Sequence, residues 1–327
     1  MSVSHPLAAG VRAGDRRALS RAITLVESRR RDDAEQAEAL LAELYPAIGR
    51  ALRVGVTGPP GVGKSTLLDA LGMHAVGAGQ RVGVMSVDPT SHRRGGSLLG
   101  DRVRMARLSQ AEGAFIRASP SGGAVGGLGR RTREALVLLE AAGFGLIFVE
   151  SVGVGQGEIA VTEVSDLVLL VQTAGAGDEV QGMKRGLLEH ADVVVFNKAD
   201  GPEAAAAERA ARELGSLLEW MRPGQSRVEL VSALEDRGID GLYRALVEEQ
   251  ARRTESGELA ERRRAQRRIW LSQAIEELAI ARQSRDPDLD RARRELERAV
   301  EEGELAPPLA ARQLLEPDNA AITSGGA

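Results

Sequence analysis

Gly58-Pro59-Pro60-Gly61-Val62-Gly63-Lys64-Ser65 follows the apolar run Arg53-Val54-Gly55-Val56-Thr57 and opens into Thr66-Leu67-Leu68-Asp69-Ala70-Leu71. The pattern Gly-x-x-x-x-Gly-Lys-Ser therefore lies between a predicted strand and a predicted helix, the setting in which such a loop cradles phosphate. Glycines let successive backbone N–H groups curl around phosphate oxygens, and the helix start adds roughly half a positive charge. Gly58, Gly61, Val62, Gly63, Lys64, Ser65 and Thr66 are read as nucleotide-binding residues. Lys64 is placed to reach the β and γ phosphates, and Ser65 to offer a hydroxyl to Mg²⁺. Lysine is scarce here: Lys64, Lys184 and Lys198 are the three in 327 residues, whereas arginine is abundant. A compact ammonium does what a planar guanidinium cannot, and all three fall in segments assigned below to the nucleotide site.

Working outward, a chain of this length that is 43% hydrophobic can bury a large core. The net charge of −4 argues against a nucleic-acid binder. No apolar run approaches the roughly 20 residues of a membrane span, and the opening MSVSHPLAAG lacks a basic-then-apolar leader pattern. A cytoplasmic protein without a membrane partner is expected. There is no cysteine, which excludes disulfides, thiolate metal sites and thiol nucleophiles.

Residues 1–50 read as a helical lead-in, with Leu19, Ile23 and Val26 at helical spacing, a charged break at 29–33 and a second helix through Leu40, Leu41 and Leu44. From 51 to 254, apolar runs at 54–57, 82–87, 115–117, 146–149, 167–171, 193–196 and 228–231 alternate with helix-length stretches. That alternation predicts an α/β domain with a mostly parallel central sheet and helices on both faces, its ligand at the carboxyl ends of the strands.

The remaining motifs follow those runs. Asp88 ends the second run, a Pro/Gly-rich loop comes next, and Asp101 and Arg104 stand one helical turn apart. They can place carboxylates near Mg²⁺ or a water and a guanidinium near phosphate, as in a switch loop. Glu150 ends the fourth run with Gly153 three residues on. This is where a phosphate-binding-loop protein puts a carboxylate near Mg²⁺ and a backbone N–H at the γ-phosphate. Val154 follows, so the side chain that orients the attacking water in Ras-type proteins is missing there, with Gln156 two residues on; slow intrinsic hydrolysis is expected. The glycine-rich, charged stretch 175–186 carries Lys184 and reads either as a third mobile segment or as a solvated helix start.

Asn197-Lys198-Ala199-Asp200 ends the sixth run. Asp200 can accept from guanine N1–H and the 2-amino group, the Lys198 stem can cover the base, and Asn197 can fix the loop. Adenine has neither donor in that place. Ser232-Ala233-Leu234, after the last run, can present a backbone N–H to the guanine carbonyl. From 255 to 327 the texture changes to long charged helices, with Trp270, Leu271, Ile275 and Leu278 on one face, read as packed on their own domain or as a dimer interface.

These residues resemble the G-protein chaperones of adenosylcobalamin-dependent acyl-CoA mutases, the bacterial MeaB and human MMAA family, also labelled ArgK. The likeness runs through 14–17 and 22–27, the loop 58–65, 87–91 with 95–105, 150–156, 175–186, 197–200 and the C-terminal arm. It implies a phosphate-binding-loop fold of the SIMIBI class, homodimeric through that arm, using GTP, GDP and Mg²⁺ to gate cofactor loading and protect a mutase from inactivation. Lys64, Asp101, Arg104, Glu150 and Lys184 become the implied catalytic and switch residues. Ser65, Asp88, Asp101 and Glu150 become the implied Mg²⁺ set. Two departures fall in switch segments: His92-Arg93-Arg94 stands where relatives usually have Pro and an aromatic residue, and Gly157 where Ser is common. Other readings are a metal-insertion GTPase of the same class, a kinase or transport ATPase, and a GTP-sensing module whose hydrolysis is incidental.

Overall fold

A computed structural model describes residues 4–28, 30–88, 104–120, 130–151, 160–174, 185–283 and 287–315; for Asp88 only the backbone is described. Two compact units emerge, Met1–Gln266 and Arg267–Ala327.

In the first unit, α1 (Ala8–Arg12), α2 (Arg16–Glu27) and α3 (Arg31–Leu44) precede β1 (Leu52–Thr57). Asp15 caps α2 by accepting from the Ala18 N–H, and Leu19, Ala22, Ile23 and Val26 form its buried stripe. Part of the charged break is the first turn of α3, where Asp32 and Asp33 suit the positive end of the helix dipole. After β1 come α4 (Lys64–Gly77), β2 (Val82–Asp88), α5 (Ala106–Gln110), β3 (Ala114–Pro120), α6 (Arg130–Ala141), β4 (Leu146–Ser151) and β5 (Leu167–Gln172). They are followed by α7 (Arg185–His190), β6 (Val193–Phe196), α8 (Ala204–Met221), β7 (Arg227–Leu230) and α9 (Ile239–Glu255). The long α10 (Glu258–Gln283) runs across the unit boundary, and α11 (Pro287–Glu301) and α12 (Pro307–Leu315) lie in the second unit.

Among the described residues, seven strands form one sheet in the order β3-β2-β4-β1-β5-β6-β7, every pairing parallel. Successive side chains of a strand alternate between faces, and both faces here are apolar. Val54, Val56, Phe148, Leu169 and Val195 join the core under α4, α5 and α9. Ile147, Val149, Met85 and Val87 join the opposite core under α2, α3 and α6, while Leu170, Val194 and Phe196 pack with α8. The predicted α/β architecture is therefore present.

β1 is central, with β2, β3 and β4 on one side and β5, β6 and β7 on the other. Strand order reverses around it, so the loop leaving its carboxyl end opens at the switch point of the sheet. Among the described residues, no helix is long and apolar enough to cross a membrane.

Candidate functional site

The loop after β1 is shaped by close approaches. A Cβ on Gly58 would lie 2.2 Å from the Val171 carbonyl oxygen on neighbouring β5. Gly63 has φ +89°, and a Cβ there would meet the Asn197 side chain at 2.6 Å. Any larger residue at either place would push the loop off the sheet. Lys64 begins α4 and is 8% exposed; its Nζ donates to the Gly58 carbonyl at 2.7 Å and the Pro59 carbonyl at 2.9 Å. The ammonium is thus held over the inside of the loop. Lys198 donates to the Gly61 carbonyl at 2.9 Å, so two of the three lysines grip main-chain oxygens of one loop. A short chain ending in a compact charge makes both grips possible.

Ser65 and Glu150 meet across the gap between α4 and β4. The Ser65 hydroxyl donates to Glu150 Oε1 at 2.9 Å, and the Ser86 hydroxyl on β2 donates to Oε2 at 3.3 Å. Glu150 is 6% exposed, so this carboxylate is held by hydroxyls rather than by bulk water. A hydroxyl beside a buried carboxylate is a hard oxygen donor set, the chemistry Mg²⁺ takes. Ser86 was missed in the sequence reading, although a lone polar residue inside the apolar run Val82-Gly83-Val84-Met85-Ser86-Val87 is a visible signal.

The third part joins β6 to the turn after β7. Asn197 is buried; its Nδ2 donates to the Val62 carbonyl at 2.9 Å, and its Oδ1 accepts from the Ala233 N–H at 3.1 Å. One side chain therefore ties the phosphate loop to the 232–234 turn. Lys198 follows in the left-handed region at φ 59°. The Ser232 hydroxyl donates to Asp200 Oδ2, and the Ser232 N–H is taken by the Arg237 carbonyl. Asp200 Oδ1 and the Leu234 N–H have no partner among the described residues. One acceptor and one donor therefore remain at this edge, the pair a guanine offers complements to.

Sequence-read residues Gly58, Gly61, Val62, Gly63, Lys64, Ser65, Thr66, Glu150, Asn197, Lys198, Asp200, Ser232, Ala233 and Leu234 lie at the carboxyl ends of β1, β4, β6 and β7. Arg104 is exposed shortly before α5. Asp101, Gly153 and Lys184, with His92 to Arg94, Val154, Gln156 and Gly157, lie outside the described residues.

The model of the family "Methylmalonyl Co-A mutase-associated GTPase MeaB" matches residues 19–288. "Probable GTPase Rv1496" of Mycobacterium tuberculosis is 50% identical over 326 residues, covering 97% of each chain. "Methylmalonic aciduria type A homolog, mitochondrial" of Mus musculus is 39% identical over 322 residues, 94% of this chain and 77% of that one. The crystal structure of a "LAO/AO transport system kinase" superposes with a TM-score of 0.73 at 37% identity, covering 96% of both chains. A match through the phosphate loop, both sheet halves and the start of the C-terminal helices places this chain in the MeaB family of methylmalonyl Co-A mutase-associated GTPases, and it is a GTPase.

Proposed function

We propose that this protein is a Mg²⁺-dependent GTPase that acts as a homodimeric chaperone of an adenosylcobalamin-dependent acyl-CoA mutase of the methylmalonyl-CoA type. It would gate cofactor loading and protect the mutase from inactivation. The observation that carries the reading is the convergence, in a chain of this family, of the Lys64 loop, the Ser65–Glu150 contact and the Asn197–Asp200 edge at one end of the sheet. Lys64 and the loop N–H groups bind the triphosphate. Asp200 and the turn at Leu234 select guanine, and the Lys198 stem covers the base. Ser65 and Glu150 would hold Mg²⁺, together with Asp88 and Asp101 of the sequence reading. When bound, the ion supplies positive charge at the phosphate oxygens during transfer. Arg104 and Lys184 are proposed to act on the phosphates from the switch segments. The name "transport system kinase" carried by the solved relative favours an ATP-using alternative. The unfilled Asp200 oxygen argues against it, because adenine has neither the N1–H nor the 2-amino group that would fill it.

Nucleotide titrations test the base. GTP should bind at least about 10³-fold more tightly than ATP, and Asp200→Ala should remove that preference. Equal affinities in the unaltered protein would overturn the guanine assignment. Phosphate release should be slow alone, rise when a cognate mutase is added, and fail to rise in Lys184→Ala. Fast turnover indifferent to every mutase supplied would remove the chaperone role.

A further inference from the structure

Arg107 belongs to no motif read from the sequence, yet it joins α4, the helix that follows the phosphate loop, to the turn after β7. It is the second residue of α5, the first helix after the segment carrying Asp101 and Arg104. Met105, the residue before α5, provides no side-chain cap. The cap comes from α4 instead: Asp69 Oδ1 accepts from the Leu108 N–H at 2.8 Å. The other Asp69 oxygen accepts from Arg107 Nε at 2.7 Å, so one buried carboxylate fixes both the start of α5 and the Arg107 side chain. Gly72 lets the helices close further, since a Cβ there would meet Leu108 at 2.5 Å. α5 thus sits rigidly on the helix that Lys64 begins.

The far end of the same guanidinium reaches the base edge. Its two terminal nitrogens donate to the two oxygens of Asp236 at 2.7 and 3.0 Å, a forked pair. Asp236 lies in the left-handed region at φ 52°, in a turn closed by paired hydrogen bonds between Ser232 and Arg237, each 3.0 Å. This turn carries Ala233 and Leu234. It is also pinned to the Asn197–Asp200 motif by Ser232 on Asp200, Arg237 on the Ala199 carbonyl and the Ala233 N–H on Asn197. Arg107 is therefore a strut, with the base-recognition turn at one end and the first helix after the Asp101–Arg104 segment at the other.

We propose that Arg107 is a positioning residue that couples occupancy of the base site to the placement of α5, and through it to the segment bearing Asp101 and Arg104. This rests on the reading of Asn197–Asp200 as the guanine edge. The strut touches no phosphate. Its loss should weaken GTP and GDP binding together, because both share the base, and should also slow turnover at saturating GTP, because α5 is released.

Asp236→Asn is the decisive variant, since asparagine tolerates the left-handed backbone and keeps the shape while losing the charge. Arg107→Gln and the double variant complete a cycle. For both single variants we expect GTP and GDP dissociation constants raised about three- to tenfold and kcat lowered at least about threefold. Melting temperatures should stay within a few degrees of the unaltered protein, and the double variant should be no worse than Arg107→Gln alone. A purely structural role would lower the melting temperature and leave dissociation constants and kcat of the folded fraction unchanged, which overturns the proposal. Additive losses in the double variant overturn it as well. GTP-over-ATP preference is measured alongside: its presence with unaltered affinity and kcat in Asp236→Asn refutes the strut alone, and its absence in the unaltered protein refutes the guanine edge with it.

Discussion

Glu150 has a hydroxyl on each oxygen, Ser65 from α4 and Ser86 from β2, so its orientation is set by two elements that flank β4 and the phosphate loop. A carboxylate oriented this way presents its charge where a hard cation would sit beside the Ser65 hydroxyl. Glu150→Gln keeps the length and removes the charge. The Mg²⁺ concentration giving half-maximal phosphate release should rise about 10- to 100-fold, the usual loss when a group orienting a metal site is altered. Thermal melting without nucleotide should move by only a few degrees, because an amide still accepts from one of the two serines. An unchanged Mg²⁺ requirement would remove Glu150 from the metal site and leave it as a purely structural acceptor.

At the scale of elements, α10 changes character along its length. Its first turns point Arg262, Arg263 and Gln266 inward: Arg262 and Gln266 donate to the Ser165 carbonyl, and Arg263 donates to Asp166. Further along, Leu271, Ile275 and Leu278 are exposed at spacings of four and three, an apolar stripe on a helix otherwise rich in charge. Burying each such side chain contributes about 1.5–3 kcal/mol, the driving force on which the proposed homodimer would draw. Leu271→Glu with Ile275→Glu should therefore convert a dimer to a monomer at micromolar concentration in light scattering, with GTP affinity changed less than about twofold. A monomeric unaltered protein, or an unshifted mass in the variant, would remove this stripe from dimerisation. The same helix marks where sequence reading ran short. Inward-facing Arg262 and Arg263, satisfied by hydrogen bonds, look like surface residues in sequence, so the packing of its first turns leaves no apolar periodicity to read. The strand readings stopped early at β4 and β5 for a related reason, since buried Glu150, Ser151 and Gln172 continue the ladder after the apolar run ends. α12 begins at Pro307, because proline fits the first helical turn. The alternating apolar strands and the phosphate and base motifs were legible because each is local. Arg107 was not, since Asp236 lies 129 residues away and nothing near either residue announces the other.

Across the Met1–Gln266 unit, the end of the sheet opposite the nucleotide edge is held by buried ion pairs. Asp166 and Asp192 stand immediately before β5 and β6 and accept backbone N–H groups of Arg53 and Val168 on the neighbouring strands. Arg263 binds Asp166 and the Gly49 and Ala51 carbonyls, while Arg253 binds Asp192, Glu249 and the Asp166 carbonyl. Burial alone would raise the Asp166 pKa, but the hydrogen bonds from Arg263 and the charges of Arg53 and Arg263 outweigh it and leave the carboxyl below its usual value. Glu249 is lowered in the same way, burial being outweighed by Arg252 and Arg253. A carboxyl depressed in the folded state adds stability above its unfolded pKa, near about 4, and that stability is lost as pH falls through the folded value. The melting temperature should therefore be nearly level from about pH 7 to pH 5 and fall steeply below about pH 4. Arg263→Gln removes the main partner of a fully buried carboxylate and should cost about 3–5 kcal/mol at pH 7. In that variant burial pushes Asp166 upward, so protonation relieves it at a higher pH than in the unaltered protein. The stability gap between the two proteins should thus narrow as pH falls from 7 towards about 4. Thermal melts of both across this range decide it, and a gap that stays constant would mean that Asp166 does not carry its charge into the folded state on the strength of Arg263.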